Sequence, residues 1–237
     1  MTSEELHVPA GHTKGEVMSL SQRVMYTVIR ALIAGACRVW FRLEVQGREH
    51  LPTEGAYIVS PIHRSNLDTP VLSAITTRRL RYMGKESLWK SRALGWLLTA
   101  LGGFPVQRGH ADREALKAGL ACLERGEPLV VFPEGTRQFG PDMAEMFDGP
   151  AYMACRTGVP IVPIGLGNTE AAMPKGAKFI RPVKMTIVIG EPIQPPPLKE
   201  SGRVSRTGVR ELTAQLGDAI QVLFDEAQAL AGNPNRR

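Results

Sequence analysis

Short apolar runs that alternate with longer helical segments constrain the fold of this 237-residue chain more than any other feature. Apolar residues at helical spacing predict helices at 112–125 and 209–230. This alternation predicts an α/β fold, with a mixed sheet of about seven strands covered by helices on both faces. The predicted strands are apolar or β-branched and are bounded by glycine, proline or polar residues: 43–46, 56–60, 80–83, 104–106, 129–132, 161–165 and 185–189.

An apolar stretch near the N-terminus predicts a helix that lies at a membrane surface. Residues 19–41 contain no proline and one glycine, but three arginines interrupt them, Arg23, Arg30 and Arg38. A membrane span needs about 20 apolar residues, and each central arginine would oppose insertion by roughly 2.5–3.5 kcal/mol. We therefore expect an interfacial helix with its arginines on or near one side. A core helix with one solvated edge is the alternative.

Three segments are expected along the chain: a mobile tail (1–16), an N-terminal amphipathic helical element (17–42) and one α/β domain (43–232). The tail is polar and lacks the apolar core of a signal peptide, so we do not expect secretion. The three cysteines are widely spaced and form no CxxC pair, which argues against a disulfide framework or a zinc site. The five histidines show no ligand spacing, so we expect no metal.

The charge balance indicates an anionic partner. Lys and Arg number 29 against 23 Asp and Glu, a formal net charge of +6. Nucleic acid, anionic lipid headgroups and phosphorylated substrates all fit such a surface. Aromatic residues make up only 6% of the chain and do not alternate with basic runs, so a nucleic-acid partner is not expected.

The segment SPIHRSNLDTP at 60–70 is the most informative for chemistry. It follows a predicted strand, so His63 stands at a strand's carboxyl end, where open α/β sheets place their sites. A helix that starts near Ser65 would carry Asp68 in its first turn. The Asp68 carboxylate can then hold one imidazole nitrogen and leave the other as a general base. A structural histidine capped by a nearby aspartate fits the same spacing.

Three further blocks contain or directly follow other predicted strands. FPEGTR at 132–137 places a glycine where the backbone can approach a ligand, and an arginine suited to paired hydrogen bonds with phosphate. A turn with an exposed Glu134–Arg137 pair is the alternative for this block. GGFPVQRG at 102–109 places another arginine after a short strand, and VPIVP at 159–163 is expected to pack against the core.

In their order along the chain, the four blocks resemble the motifs of the glycerophospholipid acyltransferase family, of the 1-acylglycerol-3-phosphate acyltransferase type. The family's His-x4-Asp motif is matched by His63 and Asp68, and its glycine-rich turn ending in arginine by residues 103–108. Its FPEGTR and VPIVP motifs are matched letter for letter. The family often has asparagine before the histidine, whereas this chain has Ile62.

The resemblance implies transfer of a fatty acyl group from acyl-CoA or acyl-carrier protein to the free hydroxyl of 1-acylglycerol 3-phosphate, giving phosphatidic acid. It implies direct attack, with no acyl-enzyme and no cofactor besides the acyl thioester. His63 would be the catalytic base and Asp68 its partner. Residues for the substrate phosphate would be Arg108, Arg137 and Lys85, and residues that position the acceptor would be Glu134, Gly135 and Thr136. A solvated lysine is the alternative for Lys85, and Glu134 positioning the arginine guanidinium groups is the alternative for that residue.

Two other functions fit the same residues. The first is the same transfer to glycerol 3-phosphate, a lysophospholipid or a glycolipid. The second is a non-catalytic basic module that binds membranes. A serine hydrolase is disfavoured because the chain has no GxSxG segment. We expect a peripheral or monotopic protein at the cytoplasmic face of the cell membrane, with an anionic membrane surface as partner.

Overall fold

Seven strands form a single sheet in the computed structural model, which describes residues 19–106, 113–174, 176–198 and 202–236. The strand order is β1-β7-β6-β2-β5-β3-β4. Every predicted strand is confirmed, with ends that differ by no more than two residues. The strands are β1 (Glu44–Gln46), β2 (Ile58–Pro61), β3 (Arg81–Lys85), β4 (Gly103–Val106), β5 (Leu129–Val130), β6 (Ile161–Gly167) and β7 (Thr186–Ile189).

Helices connect and cover these strands. Two short 3₁₀ helices, Arg48–His50 and Glu86–Lys90, lie in the connections. The α-helices of the described residues are α1 (Leu20–Trp40), α2 (Asp68–Leu72), α3 (Arg92–Ala100), α4 (Arg113–Glu124), α5 (Gly149–Thr157), α6 (Thr169–Ala172) and α7 (Arg206–Leu230). The predicted helices at 19–41, 112–125 and 209–230 therefore correspond to α1, α4 and α7.

The strand directions decide where functional residues can meet. Strands β2 to β6 run parallel to one another, whereas β7 is antiparallel to β6 and β1 is parallel to β7. The carboxyl ends of β2 to β6 therefore share one edge of the sheet, which we name the C-terminal edge. Ligands of open α/β sheets bind at this edge.

Both faces of the sheet are covered. Every residue of β2 and β6 is buried, and successive side chains of a strand point to opposite faces. Helix α7 approaches β6 so closely that a Cβ atom at Gly165 would overlap the Leu223 carbonyl group, and one at Gly167 would overlap that of Ala227. Glycine at these two positions therefore permits direct contact between the helix and the strand backbone.

Helix α1 is docked on the domain by its inner face. Ser19 and Gln22 form a capping box at its start. Further along, the Arg30 guanidinium donates hydrogen bonds to the carbonyl oxygens of Ser73 (3.1 Å) and Thr76 (3.2 Å). Arg30 is therefore half-buried against the domain, whereas Arg23 and Arg38 are exposed.

The outer face of α1 is apolar along its length. We name this set of exposed side chains the α1 stripe: Leu20, Val24, Val28, Leu32, Val39 and Trp40. The helix ends at the C-terminal edge, because the carbonyl oxygen of Phe41 accepts a hydrogen bond from Met185, beside the start of β7. Across the described ranges, no helix has both the length and the apolar character required to cross a membrane.

Candidate active site

His63 and Asp68 form a hydrogen-bonded pair at the C-terminal edge. His63 follows the end of β2, and its Nδ1 lies 2.8 Å from Asp68 Oδ2. Helix α2 starts at Asp68 itself rather than near Ser65, which brings the carboxylate back over the preceding loop. The same Oδ2 atom accepts hydrogen bonds from the backbone N–H groups of Arg64 and Ser65, each at 2.7 Å.

The contacts around the imidazole define its orientation. The His63 ring stacks on the Phe132 ring, with centroids 4.0 Å apart. Because the Asp68 carboxylate can only accept, Nδ1 carries the proton and donates it, and Nε2 is left as an acceptor. Nε2 has no hydrogen-bond partner among the described residues. The arrangement can therefore take a proton from a hydroxyl group that approaches Nε2.

Glu134 occupies a different place from the one expected. Its side chain is fully buried and accepts hydrogen bonds from the His63 backbone N–H (2.9 Å) and from that of Ala144 (3.2 Å). It also forms an ion pair with Arg64, with Nη1 2.7 Å from Oε1. No part of the Glu134 side chain reaches the surface, so its contacts in this structure are with Arg64 and with backbone N–H groups, and its role in positioning the acceptor stays a prediction.

Arg64 is the residue that the motif analysis missed. It is 1% exposed, and its Nη2 donates to the carbonyl oxygen of Asp142 at 2.8 Å. Its guanidinium group also lies 5.2 Å from the centre of the Phe224 ring of α7. The sequence signal was the charge beside His63: an arginine that the fold buries requires a carboxylate partner.

A third acidic group lies near this arginine. Glu170 is in α6, which follows β6 at the C-terminal edge. Burial raises the pKa of the Glu170 carboxyl group, while the positive charge of Arg64 opposes that rise and the charge of Asp68 adds to it. The charges of Arg64 and Asp68 therefore act on the Glu170 carboxyl group in opposite directions.

The rest of the FPEGTR segment is more open. Gly135 has a positive φ of 67°, and the Phe147 ring lies where its Cβ would be, 2.7 Å away at the nearest atom. The turn and the Phe147 ring therefore both favour glycine at this position. Thr136 is exposed and its hydroxyl accepts a hydrogen bond from Gln138 (3.1 Å). Arg137 is half-buried, and its side chain forms no hydrogen bond or ion pair with any described residue.

The remaining predicted phosphate ligands belong to the neighbouring strands. Lys85 is the last residue of β3, and it is exposed at the C-terminal edge. It lies in register with Val106, the last residue of β4. Arg108 lies outside the described residues. Among those that are described, no group of three or more histidine, cysteine or acidic side chains is arranged to hold a metal ion.

Comparison with solved structures gives the class of fold. The crystal structure of the 1-acyl-sn-glycerophosphate (LPA) acyltransferase PlsC from Thermotoga maritima is similar to this chain, with a TM-score of 0.69 and 24% sequence identity. The match covers 85% of this chain and 80% of that one. The sheet and helices described above therefore have an acyltransferase fold.

Sequence comparison identifies the family. A profile described as Acyltransferase matches residues 42–167, which is more than half of the chain and includes both His63 and FPEGTR. The chain belongs to the Acyltransferase family.

Curated relatives carry a more specific name. The chain is 30% identical over 198 residues to a 1-acyl-sn-glycerol-3-phosphate acyltransferase of Chlamydomonas reinhardtii, which covers 79% of this chain and 58% of that protein. It is 28% identical over 160 residues to a chloroplastic protein of the same name from Brassica napus, covering 65% and 46%. A namesake from Bacillus subtilis is 26% identical over 152 residues, covering 64% and 73%. The chain thus spans about half the length of the plant and algal relatives.

Proposed function

We propose that this chain is a 1-acylglycerol-3-phosphate acyltransferase. It transfers a fatty acyl group from acyl-CoA or acyl-carrier protein to the free hydroxyl of 1-acylglycerol 3-phosphate, and the product is phosphatidic acid. The observation that carries this proposal is the His63–Asp68 pair at the C-terminal edge, with Nε2 open to a hydroxyl group. The names of the curated relatives support the choice of acceptor.

Each step of the transfer can be assigned to an atom. His63 Nε2 takes the proton of the acceptor hydroxyl as its oxygen attacks the thioester carbonyl carbon. The new C–O ester bond forms, the C–S bond breaks, and the leaving thiolate takes the proton back from the imidazolium. Asp68 keeps Nδ1 protonated and stabilises the transient positive charge of the ring. Attack is direct, so no acyl-enzyme is formed.

The acceptor phosphate is bound by Arg137, Lys85 and Arg108. Arg137 supports this assignment because its side chain is unpaired within the described part of the chain. It is also close to the catalytic base, because the backbone N–H of the next residue, Gln138, donates a hydrogen bond to the His63 carbonyl oxygen (3.0 Å). Lys85 and Arg108 supply further positive charge from β3 and from the residues after β4. The Thr136 hydroxyl and the Gly135 backbone contact the acceptor beside Arg137.

The acceptor is a lipid, and we propose that the protein works on an anionic membrane surface as a peripheral or monotopic protein. The α1 stripe supports this partner because it is a set of six exposed apolar side chains on one helix, on which Arg23 and Arg38 are also exposed. Its last member, Trp40, lies at the C-terminal edge, the edge that carries His63. The net charge of +6 suits the cytoplasmic leaflet, where anionic lipids are concentrated.

The proposal is tested by offering the purified full chain a panel of acyl donors and acceptors and identifying the products by mass. We expect phosphatidic acid from 1-acylglycerol 3-phosphate, with one thiol released per ester formed and no product from His63→Ala protein. Faster acylation of glycerol 3-phosphate, a lysophospholipid or a glycolipid would reassign the acceptor. Vesicle binding without thioester consumption would identify a non-catalytic module, and thioester hydrolysis without transfer would identify a hydrolase.

A further inference from the structure

We infer that Arg64 and Glu134 are a positioning pair for the catalytic base, and that Glu134 acts through His63 rather than on the acceptor. The inference rests on the proposed acyl transfer and deepens it. It concerns the two loops that follow β2 and β5, which carry His63 and FPEGTR. The ion pair joins these loops and holds the His63 backbone in place.

Hydrogen bonds hold the His63 backbone at both its N–H group and its carbonyl oxygen. Glu134 Oε2 accepts the His63 backbone N–H at 2.9 Å, and Arg64 Nη1 donates to the His63 carbonyl oxygen at 3.1 Å. The same Nη1 reaches Oε1 (2.7 Å) and Oε2 (3.0 Å) of Glu134. The donor and the acceptor groups of the His63 peptide backbone are thus bound by the two members of one ion pair.

The pair also reaches the carboxylate that orients the imidazole. The backbone N–H of Arg64 donates to Asp68 Oδ2 at 2.7 Å, and Oδ2 in turn holds His63 Nδ1 at 2.8 Å. The hydrogen bonds between Glu134 and His63, between Arg64 and both Glu134 and Asp68, and between His63 and Asp68 therefore form a ring of four residues. A shift of the Arg64 side chain moves both the backbone of His63 and a donor to its partner Asp68.

Burial excludes a direct role in binding substrate. The Arg64 side chain is 1% exposed and that of Glu134 is not exposed at all. Buried charges are retained in proteins when they are paired and hydrogen-bonded, and Arg64 is paired with Glu134 and donates through both Nη1 and Nη2. Arg64 is further anchored to the Asp142 carbonyl oxygen (2.8 Å), so the pair connects the two loops to the body of the domain. Because a misplacement of about 1 Å can lower turnover about 100-fold, such an anchor has kinetic consequences.

Four variants test the inference: Glu134→Gln, Arg64→Met, Arg64→Lys and the double variant Arg64→Met/Glu134→Gln. We expect each of the first two to lower kcat by about tenfold or more, with both KM values within about twofold of wild type. Lysine keeps the charge but loses the planar fork that serves three acceptors, so Arg64→Lys should lose less than Arg64→Met. The double variant should be no slower than the slower single variant, because the two residues act as a unit.

A matched control is Glu114→Gln, which removes an exposed ion pair on α4 with Lys117 (3.0 Å) and should leave kcat unchanged. Thermal unfolding identifies variants that fail to fold. If Arg64→Met does not fold, Glu134→Gln and Arg64→Lys carry the test. A raised acceptor KM with unchanged kcat in Glu134→Gln would show that this residue binds the acceptor and would overturn the inference. The inference would also be overturned if the factor by which kcat falls in the double variant equalled the product of the two single-variant factors. Wild-type kinetics in the single variants would overturn it as well.

A second readout needs no substrate. In wild-type protein, the Nδ1 proton of His63 should give a strongly deshielded NMR signal, because it is hydrogen-bonded to a buried carboxylate. We expect this signal to broaden or disappear in Glu134→Gln and to persist in Glu114→Gln. An unchanged signal in Glu134→Gln would contradict the positioning role. Absence of acyl transfer by wild-type protein would instead contradict the proposed function, so the two failures are distinguishable.

Discussion

The Asp68 carboxylate shows how one buried side chain organises the site. Its Oδ2 atom accepts from His63 Nδ1 and from two backbone N–H groups, those of Arg64 and Ser65. Its other oxygen is buried and has no hydrogen-bond partner in the part of the chain that the structure describes. The charge is therefore held by donors on one side, and the imidazole is one of them. This geometry favours Asp68 as the group that orients the ring.

The first prediction concerns this pair. His63→Ala should lower kcat by at least about 100-fold, as expected for loss of a general base. Asp68→Ala should lower it as well, and the double variant should be little slower than His63→Ala because the two side chains act as a unit. Turnover of a defined acyl thioester with lysophosphatidate measures all three. Full activity in folded His63→Ala protein would eliminate the mechanism.

A second prediction at the residue scale concerns Arg137. Replacement by lysine keeps the charge but removes the planar fork that binds phosphate through two parallel hydrogen bonds. We expect Arg137→Lys to raise the acceptor KM and to leave the donor KM nearly unchanged. Initial rates with each substrate varied in turn separate the two constants. Equal use of phosphorylated and dephosphorylated acceptor by wild-type protein would show that Arg137 does not recognise a phosphate.

At the scale of elements, the contact between α7 and β6 places the C-terminal helix against the central sheet. The contact is made by backbone on both sides, because Gly165 and Gly167 leave no side chain between them and the helix. Backbone cannot rotate away as a flexible side chain can. An added methyl group at either position must therefore move the helix or the strand.

The third prediction follows from that contact. Gly165→Ala should lower the free energy of unfolding by about 1–3 kcal/mol, the usual cost of overpacking a close-packed site. Gly35→Ala is the matched control, since Gly35 lies in α1 and, outside its own stretch of the helix backbone, no heavy atom lies within 4 Å of the added Cβ. It should be neutral or stabilise the protein by up to about 1 kcal/mol, because alanine favours a helix more than glycine does. Urea unfolding of both variants checks the difference, and equal midpoints would contradict the packing argument.

Helix α1 has two roles: one face packs in the protein core, and the other is the proposed membrane contact. Its inner face is part of the protein core, since Ala34, Cys37 and the following Phe41 are buried in it. Its outer face is the α1 stripe. Deleting the whole helix would therefore expose core residues as well as remove the proposed membrane contact. Substitutions on the outer face separate the two effects.

At the scale of the whole molecule, the fourth prediction concerns membrane binding. The protein should float with vesicles that contain anionic lipid, and high salt should weaken this binding without abolishing it, because charge and apolar contact both contribute. Val28→Ser with Leu32→Ser should reduce flotation and leave the thermal unfolding temperature unchanged, since both side chains are exposed. The matched control is Val222→Ser, a comparably exposed valine on α7. Equal flotation of all three proteins would place the membrane contact elsewhere.

The sheet illustrates what local patterns can reveal. Each strand was predicted from its own apolar run and the residues that bound it, because strand propensity and turn chemistry are local properties. The order of the strands was not predictable in this way, and neither was the reversal of β7 beside β6. Strand pairing is decided by contacts between segments far apart in the chain.

The contacts of the site also differ in whether they join residues close together or far apart in the sequence. The five-residue spacing of His63 and Asp68, together with a preceding strand, was enough to predict that they could meet, because a short loop and the first turn of a helix have limited reach. The ion pair between Arg64 and Glu134 joins residues 70 positions apart. Only the pairing of β2 with β5 brings their loops together, so the fold, rather than either motif, decided that Glu134 faces inward to Arg64 and His63.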